Sequence, residues 1–175
     1  REDTAEITSL SASIADELRG ALPAARGPTA AYTLDGWYAR IDGRLLLMLG
    51  GLTLLLGDEE HAVEHLKASY SRALDTDSPA DAAQALEGIA RVHLNRGEYD
   101  QADSLARNAL ELLQGRDDYL HEVCPSQLVL GRALLERGRL DEAEECFRAA
   151  DAAAEQLSSI SHRTEAWVAL GDLAA

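Results

Sequence analysis

The amino-acid sequence predicts an all-α fold, a right-handed α-α superhelix built from stacked helical hairpins. Three observations lead to this prediction. A pattern of leucine, glycine and alanine recurs about every 40 residues, a glycine interrupts each copy, and no alternating strand pattern of useful length is present. A fixed period of this size is the signature of a helical solenoid. Because a solenoid is a surface that holds something else, we expect a binding scaffold.

The copies align with one another without gaps. Leu130–Ala143 lies 41 residues after Ile89–Ala102, and Leu49–Ala62 lies 40 residues before it. A fourth copy opens at Trp167–Asp172. We therefore expect hairpins at about 43–75, 79–115 and 117–157 and the first helix of a fourth at 159–175. Residues 1–42 are expected to hold N-terminal helices and a linker, or a degenerate or incomplete repeat.

These copies resemble the tetratricopeptide repeat family, in which the first helix carries Leu-Gly and the second helix a small alanine. The match includes Leu130-Gly131, the turn glycine Gly138, and Ala143, with Gly97 and Ala102 in the preceding copy. The period of 40 or 41 residues exceeds the roughly 34 usual in the family. This longer variant resembles the repeats of bacterial signal-responsive regulators and peptide receptors.

The small residues have a mechanical role in the predicted hairpins. Antiparallel helices packed roughly 8–10 Å apart need side chains without bulk where their axes cross, and Gly131 and Ala143 supply that clearance. Gly57, Gly97 and Gly138 are placed where the first helix of each pair should end, since a left-handed residue there favours glycine.

Prolines mark two helix boundaries. Ser78-Pro79 reads as a cap and first helical position, which opens a helix over residues 79–96. Pro125 leaves two alternatives. Either its helix begins near Asp117 or Asp118 and the proline bends it, or the helix begins at Cys124 after a long link. We prefer the bent helix.

The N-terminal region is predicted from its apolar spacing. Residues 3–22 have the pattern of an amphipathic helix (Ile7, Leu10, Ile14, Leu18), residues 23–29 that of a linker, and a further helix is expected from about Thr29 to Leu56. Met48 is the only methionine, so we expect the chain to be a piece of a longer protein.

Charge and composition limit the classes of partner. The net charge of −15 and a pI near 4.6 argue against direct contact with nucleic acid, whose binders present clustered cations. The apolar run Leu45–Leu56 is far shorter than the roughly 20 residues that span a membrane. Among the basic residues only Lys67 is lysine, which together with abundant alanine suggests a bacterial source. We expect a cytoplasmic protein with no membrane contact.

The sequence offers little for catalysis. Cys124 and Cys146 lack a CxxC partner and read as free structural thiols. His61 and His65 share a helix face at a spacing that can hold a metal, but no third ligand is evident, and a solvated polar face is the preferred interpretation. With no phosphate loop or nucleophile elbow, we predict a protein that is not an enzyme and that needs no metal or cofactor.

The resemblance implies that the first helices line a groove that binds a protein or peptide. The groove-facing positions are Leu47, Leu54, Leu55, Glu87, Arg91, Leu94, Asn95, Leu128, Arg132, Leu135 and Glu136, with Gly51, Val168 and Asp172 at further such positions. Arg91 and Arg132 occupy equivalent sites and suit a carboxylate ligand. The alternative is that each arginine pairs with a local acid such as Glu87, Glu98 or Glu136.

Two function classes remain from the sequence. The favoured one is an interaction module, the sensor or oligomerisation part of a larger bacterial transcription regulator. The other is a small-molecule or peptide receptor of a signalling ATPase, or an enzyme accessory subunit. Trp167, Leu170 and Leu173 lie on one side of the last helix and predict an apolar contact there, either with a following helix of a longer protein or with a second copy in a homodimer, which we expect. In the first repeat, Leu47, Leu54 and Leu55 together would expose an apolar patch, which predicts a cover, either the helix of residues 3–22 or a partner chain.

Overall fold

The structure is a computed structural model that describes residues 35–115 and 119–173 and confirms the all-α helical solenoid. The described residues form seven helices and no strand. Their bounds are α1 Asp35–Leu55, α2 Glu59–Asp75, α3 Pro79–Asn95, α4 Tyr99–Leu112, α5 Leu120–Glu136, α6 Leu140–Gln156 and α7 Ile160–Leu173. The predicted helix and linker of residues 3–29, and the start of the helix expected from Thr29, lie outside the described residues.

The helices pair in chain order. α1 packs against α2, α3 against α4 and α5 against α6, and each second helix also packs against the first helix that follows it. The first helices contact one another in sequence, from α1 through α3 and α5 to α7. One row of first helices therefore runs along the array, and the second helices lie behind it.

A shared turn ends each first helix in the three hairpins. Gly57, Gly97 and Gly138 have φ of +80°, +74° and +73°, as their placement in the sequence predicts. In the second hairpin, Glu98 N donates to His93 O at 2.9 Å, and the residues after Gly57 and Gly138 form the same bond. This bond caps carbonyls that the helix end leaves free, so the next helix begins two residues after each glycine.

The core forms where a small residue meets a large one. A Cβ on Gly131 would lie 2.5 Å from Phe147 Cε1, and a Cβ on Gly50 would lie 2.6 Å from Leu66 Cγ. Phe147 is fully buried, as is Ala143 one turn before it. The glycines therefore let a bulky side chain of the second helix rest directly on the backbone of the first.

Both proline expectations can be compared with the helices. Pro79 is at the start of α3 with Ser78 as its N-cap residue, which confirms that boundary, but the Ser78 hydroxyl donates to Asp81 Oδ2 at 2.8 Å instead of capping the backbone. Pro125 lies inside α5, so the link up to residue 123 is wrong. The helix begins at Leu120, later than Asp117 or Asp118.

An ion-pair cluster joins the second and third hairpins on the side away from the first helices' row. Asp103 on α4 has a side chain only 9% exposed. Its carboxylate accepts from Arg107 Nε at 2.5 Å, from Arg139 Nη1 at 3.5 Å and from Arg137. Because Arg137 and Arg139 flank the turn at Gly138, the cluster ties that turn to the preceding hairpin.

Candidate functional site

The row of first helices carries a groove, formed by three adjoining cavities of about 760, 120 and 350 Å³. All the residues that the sequence placed at this site, with the function of each still a prediction, line one of the three cavities: Leu47, Leu54, Leu55, Glu87, Arg91, Leu94, Asn95, Leu128, Arg132, Leu135 and Glu136. The cavities share Arg91, Asn95 and Arg132 among their walls, so they form one continuous surface.

The largest cavity has an apolar wall on α1. Leu47 and Leu54 are half-buried in it, and Leu55 is exposed at its rim. Met48 and Leu52 also line it. Gly51 lies between them with no atom within 4 Å of where a Cβ would be. The missing side chain at Gly51 leaves free space in the wall, so an apolar side chain of a ligand could enter there and contact Leu47 and Leu54.

The floor of the same cavity is polar and holds a buried carboxylate. Glu87 on α3 has a side chain 12% exposed and forms an ion pair with Arg91 one turn later. Burial raises the pKa of the Glu87 carboxyl, and the Arg91 guanidinium partly offsets this effect. The equivalent positions on the other first helices hold Leu47, Leu128 and Val168, so a charge is specific to the second repeat.

The C-terminal part of the groove is also polar. Arg132 on α5 pairs with Glu165 on α7, with 2.8 Å between Nη2 and Oε1. The Glu136 carboxylate raises the pKa of Tyr99 across the groove. Asn95 and Asp172 complete the polar lining, while Leu94 and Leu135 lie between them. The apolar part of the lining is smaller at this end of the groove than at α1.

Each groove arginine already has an acidic partner. Arg91 pairs with Glu87 and Arg132 with Glu165, so each arginine has an acidic partner, as the alternative interpretation expected. Two other acids named there pair elsewhere: Glu98 contacts His93, and Glu136 contacts Tyr99. The lining as a whole holds two arginines and four carboxylates, namely Glu87, Glu136, Glu165 and Asp172. The groove is therefore more negative than positive, which disfavours a carboxylate ligand for the two arginines.

Sequence reasoning missed several residues of the groove. His162 and Glu165 enter from the start of α7, and His121 and Gln84 from α5 and α3. Gln84 donates to Glu122 Oε1 at 2.8 Å and so links two neighbouring first helices. Gln84, Pro125 and Glu165 occupy equivalent positions in successive repeats and all line the groove, so extending the groove one turn earlier along each first helix would have found this row.

The three residues of α7 that were predicted to form a homodimer contact lie in different surroundings. Leu170 and Leu173 are half-buried and pack on the core around α5 and α6. Trp167 is 54% exposed, and the Arg163 guanidinium lies 4.8 Å from its ring centroid. A dimer through this end would therefore rest on Trp167 and its neighbour Val168, which is also exposed, and it stays a prediction.

The groups considered for chemistry have structural surroundings. Burial raises the pKa of the Cys124 and Cys146 thiols to about 11, so both stay protonated at neutral pH and are poor nucleophiles. His61 contacts Asp58 at 2.7 Å, at the start of α2, and does not pair with His65. Within the described residues, no three His, Cys, Asp or Glu side chains come together as metal ligands would.

Comparison with known proteins adds the family. A family model described as tetratricopeptide repeat matches residues 81–171, which includes α4, α5 and α6 and nearly all of α3 and α7. No curated protein matches the chain. Across residues 35–115 and 119–173, no helix combines the length and the apolar character needed to cross a bilayer. The matched region supplies the polar part of the groove, and the apolar wall on α1 lies before it.

Proposed function

The chain belongs to the tetratricopeptide repeat family, whose repeats mediate protein–protein interaction, and from this premise we propose that its groove binds a segment of a protein partner. The observation that carries the proposal is the continuity of the three cavities along the first helices, with an apolar wall at one end and polar residues at the other. The largest cavity also combines an apolar wall on α1 with a polar floor at Glu87, and such a surface suits a segment that has one apolar face and one charged face.

The charge of the lining decides which charged face fits. Four carboxylates outnumber two arginines in the groove, and the chain carries a net charge of −15. Complementary charge speeds association and excludes wrong partners. A partner segment with lysine or arginine beside its apolar residues therefore fits better than an acidic one. An acidic segment would have to displace Glu87 and Glu165 from their arginines.

A wider role follows from the resemblance of the long repeats. We place this chain as the sensor or oligomerisation part of a larger bacterial cytoplasmic regulator of transcription, in line with the repeat period of 40 or 41 residues and with the arginine-rich, lysine-poor composition. The alternative is a small-molecule or peptide receptor of a signalling ATPase or an enzyme accessory subunit. The cavity of about 760 Å³ supports it, because small-molecule sites commonly measure about 300–1,000 Å³.

The test uses a fluorescent amphipathic helical peptide with leucines on one face and lysines on the other, titrated into the chain and followed by anisotropy. Asp172→Lys, at the polar end of the groove, should weaken binding by on the order of tenfold, which corresponds to about 1.4 kcal/mol. Asp141→Lys is the matched control, because it makes the same charge change at an exposed position that lines none of the three groove cavities.

A second arm exchanges the peptide lysines for glutamates. The acidic peptide should bind more weakly than the basic one and should gain affinity from Asp172→Lys. Equal effects of Asp172→Lys and Asp141→Lys would show only long-range attraction and contradict binding in the groove. Tighter binding of the acidic peptide to the unmodified chain would restore the carboxylate hypothesis for Arg91 and Arg132.

A further inference from the structure

Helix α1 carries a longer apolar surface that overlaps the groove wall, which we call the α1 stripe and define as Ile41, Leu45, Met48, Leu52 and Leu55. Their spacings of 4, 3, 4 and 3 residues place them in one row along the helix. They are between 36% and 82% exposed. Met48, Leu52 and Leu55 also line the largest cavity of the groove, and the row as a whole is large for a surface left bare to water.

At the three middle positions of the stripe, the equivalent residues on later first helices are mostly buried. Gly88 on α3 occupies the position of Met48, and a Cβ there would lie 2.9 Å from Leu66 Cδ1 of α2. This face of a first helix therefore meets the second helix that precedes it. The residues equivalent to Leu45, Met48 and Leu52 that are buried in later repeats are Ala85, Ser126, Ala166, Gly88, Val129, Ala169, Val92 and Ala133.

The sequence before α1 contains a complementary row. Ile7, Leu10, Ile14, Leu18 and Leu22 are spaced by 3, 4, 4 and 4 residues. Read from its C-terminal end, the α1 stripe is spaced by 3, 4, 3 and 4 residues. The two spacings differ by one residue at the third step, so an antiparallel arrangement brings the rows together within one residue: Ile7 with Leu55, Leu10 with Leu52, Ile14 with Met48, Leu18 with Leu45, and Leu22 with Ile41.

The connection between the two rows is long enough to let them meet and short enough to keep them close together. Twelve residues separate Leu22 from Asp35, where α1 begins, and twelve residues can span up to about 40 Å. Placing Leu22 beside Ile41 requires a return of only six residues along α1, about 9 Å. A short tether also holds the segment at a millimolar effective concentration, which favours it over a second copy of the chain.

We infer that residues 3–22 form a helix that packs antiparallel on the α1 stripe and covers it as a preceding second helix would. The short connection favours the antiparallel direction, because a parallel helix would place Leu22 beside Leu55, twenty residues or about 30 Å from the start of α1. Most of the equivalent positions in later repeats carry smaller residues. The larger side chains of the stripe would here pack against a row that consists of isoleucine and leucine. The cover then meets the groove along Met48, Leu52 and Leu55, and Leu47 and Leu54 remain as its apolar wall.

Two cysteine pairs in the full chain test this inference. Ile7→Cys with Leu55→Cys should form a disulfide within one chain, because an antiparallel helix brings the two positions within the 4.4–6.8 Å between Cα atoms that a disulfide needs. Ile7→Cys with Ile41→Cys is the matched control, since position 41 lies fourteen residues, or about 21 Å, from position 55 along α1. Cys124 and Cys146 can stay, because their thiols have pKa values of about 11.

Mild oxidation at neutral pH, followed by non-reducing electrophoresis and intact mass, gives the result, and thermal unfolding checks that both variants fold. We expect a monomeric disulfide in most of the Ile7→Cys/Leu55→Cys protein and little in the control. A disulfide between two chains would assign the stripe to a second copy and overturn the inference. Equal yields in both pairs, a higher yield in the control, or no disulfide in either would also overturn it.

Discussion

The first and third hairpins close by the same device in different surroundings. In each, a glycine of the first helix lets a bulky residue of the second helix rest on its backbone, Gly50 beneath Leu66 and Gly131 beneath Phe147. The second hairpin has Ala90 and Ala106 at the equivalent positions, both fully buried. The residue types differ among the hairpins, but in none of the three do both positions carry a bulky side chain.

What differs is how much of the array surrounds each contact. Helix α5 has described helices on both sides, α3 and α4 before it and α6 and α7 after it, whereas α1 has α2 and α3 on one side only. Leu52 on α1 is 55% exposed, and its equivalent Ala133 on α5 is fully buried. The comparison teaches that the repeat pattern sets which residues meet, while the number of neighbouring helices sets how tightly they are held.

The largest effect is expected from removing the bulky residue of the third hairpin. Phe147→Ala should lower the free energy of unfolding by about 3–5 kcal/mol, because it leaves a cavity that helices on both sides keep open. Leu66→Ala is the matched change in the first hairpin and should cost less, near the lower end of the roughly 2–5 kcal/mol range. Urea unfolding followed by circular dichroism measures both. A larger loss at Leu66 would reverse the comparison.

A smaller effect is expected from adding one methyl group at the glycine. Gly131→Ala should destabilise by about 1–3 kcal/mol, since the new Cβ would overlap the enclosed ring of Phe147. Gly50→Ala should cost less, because α1 contacts fewer described helices than α5 and can shift further to relieve the overlap. The midpoints of thermal unfolding for the two variants provide the measurement. Unchanged midpoints in both would show that the contacts are looser than their geometry indicates.

The smallest effect has the opposite sign and separates two adjacent residues. Gly51→Ala should stabilise the chain by about 0.5–1 kcal/mol, because Gly51 is inside a helix and no atom lies within 4 Å of its added Cβ. The neighbouring Gly50→Ala is the control that should destabilise. Differential scanning calorimetry resolves the two signs. A loss of stability in Gly51→Ala would contradict this prediction and show that the added methyl group meets another part of the chain at the groove wall.

Local chemistry explains why most of the fold was predictable from the sequence. Gly57, Gly97 and Gly138 adopt the left-handed conformation that few other residues tolerate, so they fix the turns by themselves. The period then fixes which helix faces which, and the groove positions follow by counting along the first helices. The start of α5 was less predictable, because Pro125 is compatible with several helix starts and only the packing of the helix selects Leu120.

The pairing of charges was not predictable for a different reason. Arg132 selects Glu165 on the next first helix, although Glu136 lies one turn away on its own helix. With 31 acidic residues in the chain, the choice depends on side-chain rotamers and on the distance between neighbouring helices. The buried position of Asp103 was missed for the same reason, since its arginine partners Arg137 and Arg139 come from another hairpin.

The cluster around Asp103 has a consequence for where foreign sequence can be grafted into this chain. Exposed turns ordinarily accept insertions because few contacts hold them. The turn at Gly138 is exposed, yet Arg137 and Arg139 on its two sides both reach the same buried carboxylate, so a longer loop there would pull apart two hairpins. At the Gly57 turn, the Asp58 side chain bonds within its own helix start, to His61, and the contact with the next hairpin is an exposed ion pair between Arg96 Nε and Glu59 Oε2 at 2.8 Å. An epitope or a reporter peptide should therefore disturb the stack less at the first turn than at the third.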